Sequence, residues 1–151
     1  MANWGYKALE SDEGLVLAEY FGRYAEAHPD IKMGELMEDF QEEGFLPEDL
    51  DDINYYYDKY MVGLAELFLE YKAFEEMKEE ETVDPRFKNI HSFTIESQDA
   101  VYMVQFLKDI MDEVPDRDGK RQYKLAYKNM NGWKQHMADI MEVLIEIANN
   151  V

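Results

Sequence analysis

Apolar residues recur along this chain at helical spacing, in blocks that its four prolines (29, 47, 85 and 115) separate. Proline lacks an amide donor and disfavours helix in the residue before it, so each marks a joint between elements. The first block opens at Ser11, an N-cap residue type, with Asp12 and Glu13 in the first turn, where the helix dipole favours carboxylates. Leu15, Val16, Leu17, Ala18, Tyr20, Phe21 and Tyr24 follow, a stripe wide enough for a largely buried helix that ends near His28-Pro29. Asp30 is the expected cap of a shorter second helix carrying Met33, Leu36, Met37 and Phe40, and Gly44 is its expected stop.

The third block is the most regular. Ile53, Tyr57, Tyr60, Leu64, Leu67, Tyr71 and Phe74 are spaced 4-3-4-3-4-3, a heptad pattern that strands cannot produce, so a long helix is expected from about Pro47 to Glu80. Residues 86–95 alternate apolar and polar around Phe87, Ile90, Phe93 and Ile95, which fits a short extended segment. A further helix is expected from Ser97 to Val114 on Ala100, Val104, Leu107, Met111 and Val114. After a turn at Pro115–Gly119 comes a last helix, or a pair broken at Asn131-Gly132, carrying Tyr123, Tyr127, Met130, Trp133, Met137, Ile140, Leu144 and Ile147. Consecutive helices with short joints imply an all-α, up-and-down bundle of five to six helices in a single domain spanning 1–151.

Composition adds the sign and place of the charge. Residues 1–84 hold 24 Asp/Glu and 6 Lys/Arg, a net of −18; residues 85–151 hold 10 and 9, a net of −1, which together give the total of −19. With 46% hydrophobic and 14% aromatic residues the chain has the material for a core, which an acidic disordered tail lacks. It contains no Cys, which excludes disulfides, thiolate catalysis and thiolate metal sites. The opening residues show no basic segment followed by an apolar one, and no apolar run approaches the ~18 residues of a membrane span. A cytoplasmic protein without membrane contact is therefore expected. Phosphate backbones are repelled by such an acidic surface, so nucleic acid is not an expected partner, whereas encounter with a basic protein is accelerated.

Candidate chemistry is sparse. Helical-bundle metal sites use Glu-x-x-His pairs, and the residues three before His28, His91 and His136 are Ala25, Lys88 and Trp133. The three histidines are accordingly expected to be capping or surface residues. Asp116-Arg117-Asp118-Gly119 fails as a calcium loop, because Gly119 at loop position 6 would put Val114 and Leu125 where carboxylates are required. No Gly-rich phosphate loop and no Gly-x-Ser-x-Gly elbow occurs.

Residues 26–52 hold 11 Asp/Glu and a single Lys. Such a stretch is either a solvated face or the face a basic partner recognises. Glu38, Asp39, Glu42, Glu43, Glu48, Asp49, Asp51 and Asp52 are the candidate partner-binding residues. Arg117, Lys120, Arg121, Lys124, Lys128 and Lys134 form a basic stretch that complements the chain's own acidic half, a second copy, or a phosphate group. The heptad stripe of the third helix is filled either from within or by a second subunit, which leaves a homo-oligomer open.

Two short stretches resemble known families. Trp4-Gly5 followed by Ser11-Asp12 and Leu15 resembles the start of a small bacterial family of unknown function, over about a dozen residues. That resemblance implies a bacterial source and transfers no site. Glu75-Glu76-x-x-Glu79, then 16 residues, then Glu96-x-x-Asp99 resembles the signature of all-α nucleoside triphosphate pyrophosphatases of the MazG type. It implies a magnesium ion held by Glu76, Glu79, Glu96 and Asp99, which would bridge a triphosphate and activate water. The sequence thus supports first a non-catalytic interaction module that binds a basic partner, as immunity or antagonist proteins do, with no cofactor. The alternative is the magnesium-dependent pyrophosphohydrolase.

Overall fold

A computed structural model describes residues 8–46, 55–76, 90–111 and 130–149, with side chains of the third and fifth helices described over 57–73 and 132–149. These residues form an all-α bundle with a very small sheet. The order is α1 (Asp12–Ala27), β1 (Asp30–Lys32), α2 (Met33–Glu42), α3 (Tyr55–Glu76), β2 (Ser92–Thr94), α4 (Ser97–Met111) and α5 (Met130–Asn149). No described helix is long and apolar enough to cross a membrane.

Helix α1 starts where its cap residue dictates. Ser11 is extended, and its hydroxyl accepts from Gly14 N at 3.1 Å while donating to Ala8 O at 2.7 Å. At the other end His28 is the C-cap: its backbone N–H reaches Tyr24 O and Ala25 O, and its ring stacks on Tyr24. Gly44, at φ 85°, supplies the left-handed residue that ends α2, as expected.

Asp30, the expected cap of α2, has a different role. It begins β1, which pairs in parallel with β2 in the register Asp30↔Ser92, Ile31↔Phe93, Lys32↔Thr94. Helix α2 starts after Lys32 with no side-chain cap. Burial decides the outcome: Ile31 and Phe93 are in the core at 0% and 1% exposure. Phe93 fills the space between α1 and α3, 5.6 Å from Phe21, 5.2 Å from Phe68 and 5.8 Å from Tyr71 between ring centroids.

Helix α3 runs through the centre of the bundle. Its heptad positions Leu64, Leu67 and Tyr71 are buried, but so are Met61, Val62, Ala65 and Phe68, so the helix is enclosed on most sides rather than along one stripe. The expected ends of this helix, 47–54 and 77–80, and the expected end of α4, 112–114, lie outside the described residues. Asn131 and Gly132 lie in the first turn of α5, and whether another helix precedes them falls outside the described residues. Trp133 then packs at 0% exposure, in the core as its spacing predicts. Two glycines permit close approach. A Cβ on Gly14 would lie 2.3 Å from Ala8 O, and one on Gly63 would lie 2.3 Å from Leu17 Cδ2.

Candidate functional site

Helix α2 is amphipathic in the strict sense that one face is apolar and the other anionic. Met33, Leu36, Met37 and Phe40 are buried. Glu35, Glu38, Asp39 and Glu42 fall at i, i+3, i+4 and i+7, one stripe of a helix with 3.6 residues per turn. Glu35, Glu38, Glu42 and Glu43 are exposed and Asp39 is half-buried. The buried face is locked to its neighbours by aromatic contacts. Tyr20 of α1 packs on Phe40 and Phe45 at 5.2 and 5.0 Å, and Phe45 packs edge-on against Tyr60 of α3 at 4.9 Å. The acidic stripe therefore sits on a fixed helix rather than on a tail.

Among the described residues its charge is not neutralised locally. Among the described residues no cation lies within ion-pair distance of Glu35, Glu38, Asp39, Glu42 or Glu43. Helix α2 contains no basic residue, and Arg23, the single cation of α1, is paired with Glu19. Three titrating groups register the resulting field. Burial, then the hydrogen bond that its hydroxyl donates to Asp39 Oδ2 at 2.6 Å, then the charges of Asp39 and Glu43, raise the Tyr20 pKa far above the usual tyrosine value. Burial and then the charges of Glu35 and Asp39 raise that of Tyr24. Burial and then Glu96 and Glu38 raise that of Asp99.

Asp99 shows that the face extends beyond α2. Its carboxylate lies over Gly34, where a Cβ would come within 2.6 Å of Oδ2, so the first turn of α4 is pressed against the first turn of α2. Glu96 and Glu38 are the carboxylates whose charge acts on it. The sequence reading placed Glu96 and Asp99 in a magnesium site with Glu76 and Glu79. The Glu76 side chain and all of Glu79 lie outside what is described, as do Glu48, Asp49, Asp51 and Asp52 of the proposed acidic surface. Among the described residues no group of three His, Asp or Glu has the arrangement to hold a metal ion. Of the basic stretch only Lys134 is described, and it is exposed on α5.

A second polar constellation was missed by sequence reasoning. Glu66 of α3 is 3% exposed. Its carboxylate accepts from Ala8 N at 2.7 Å and Leu9 N at 2.8 Å, and its Oε2 lies 2.6 Å from His136 Nε2 of α5. His136 is therefore neither a capping nor a surface residue, contrary to expectation: it is half-buried and its partner is 70 positions away. One helical repeat earlier on α3, the fully buried Lys59 faces Glu13 of α1 at 3.6 Å. Both pairs tie α3 to the start of α1, and the first also ties in α5. This junction is enclosed and its carboxylate is surrounded by donors, which suits positioning better than reaction.

No protein-family model, curated protein or solved structure matches this chain.

The described surface offers α2 as its most concentrated feature: exposed carboxylates on a rigid helix, flanked by tyrosine hydroxyls and extended by α4. Such a surface accepts hydrogen bonds and attracts lysine and arginine. It supplies neither a nucleophile nor a matched acid–base pair.

Proposed function

We propose that this protein is a non-catalytic interaction module whose acidic α2 face captures a basic protein surface, in the manner of a small antagonist or immunity protein. The observation that carries the reading is the stripe of Glu35, Glu38, Asp39 and Glu42, with no cation in ion-pair range among the described residues, on a helix whose opposite face is locked into the core. Like charges at i, i+3 and i+4 weaken a helix by roughly 0.2–0.5 kcal/mol per pair, a cost that no ion pair among the described residues offsets. A complementary cationic surface recovers it on binding and gains a steered encounter. Tyr20 and Asp39 act as a braced pair at the centre of the stripe, and Glu38, Glu42 and Glu43 present the free charge.

The test is capture of a partner by tagged protein from lysate of its source, comparing two charge reversals of equal size. Glu38→Lys with Glu42→Lys and Glu43→Lys alters the α2 face. Asp139→Lys with Glu142→Lys and Glu146→Lys alters exposed carboxylates of α5. The α2 reversal is expected to abolish capture while the α5 reversal retains it. Equal capture by both, or equal loss from both, refutes α2 as the binding face.

A further inference from the structure

We draw no further inference here: the strongest candidate, the exposed apolar surface at Val101 of α4 and Ile145 of α5, carries no proposal because nothing in the structure shows what covers it.

Discussion

The Glu66 carboxylate is buried and accepts from two backbone amides beside an imidazole nitrogen. Those of Glu38, Glu42 and Glu43 stand exposed on α2 with no cation in range among the described residues. The same functional group therefore has two physical meanings in this protein. At the α1–α3–α5 junction, burial would be prohibitive without partners, so they are gathered from two distant parts of the chain, the turn before α1 and helix α5. On α2, solvent replaces donors, and what remains is a field available to a partner. The difference shows why a carboxylate count alone says little: the neighbours decide whether a charge holds the fold or faces outward.

The largest effect that would sharpen this contrast is expected at Glu66. Glu66→Ala removes one partner of a buried set and leaves His136 and two amides without their acceptor, at a cost of about 3–5 kcal/mol. Urea unfolding followed by circular dichroism measures it; a loss under about 1 kcal/mol would mean that the junction is not structural. Next comes Gly14→Ala. The added Cβ meets the backbone of Ala8 and Leu9 in the turn that Glu66 holds, and a backbone obstacle cannot swing aside, so a loss of about 1–3 kcal/mol is expected in the same assay.

The smallest effect concerns the acidic side. Burial, Glu96 and Glu38 raise the Asp99 pKa above the ordinary 3.8, so the fold favours its protonated form. That contribution to stability is complete below the ordinary value and is lost as pH rises through the raised one. Wild-type stability should therefore decline across that window, and Asp99→Asn should flatten the decline and raise the neutral-pH melting temperature by about 1–2 °C. Thermal unfolding across the acid range checks it; parallel pH profiles for the two proteins would remove Asp99 from the acidic face.

Elements set by neighbouring residues were legible in the sequence. The Ser11 hydroxyl, two turns of apolar residues and Gly44 carry their own instructions, and helix boundaries followed from them. Asp30 misled because its local pattern fits a cap equally well, while the pairing of Ile31 with Phe93 joins residues far apart in the chain. The junction was hidden for a similar reason. A search for Glu-x-x-His finds pairs within one helix, whereas Glu66 and His136 come from α3 and α5. Asp99 was read with a sequence motif, but its position over Gly34 is a property of how α2 and α4 cross. The acidic stripe itself was visible, since i, i+3, i+4, i+7 spacing on a short helix fixes a face without tertiary information.

The central claim is that α2 carries charge the protein does not itself compensate. Glu38→Gln with Glu42→Gln and Glu43→Gln tests it most directly by urea unfolding at low salt. The substitutions remove the repulsive pairs Glu35–Glu38, Glu38–Glu42, Asp39–Glu42 and Asp39–Glu43. At about 0.2–0.5 kcal/mol each, the triple variant should be about 1–2 kcal/mol more stable than wild type, with a gap that narrows as salt is added. A triple variant less stable than wild type would show that these carboxylates are held by the protein's own cations, and the account would fail.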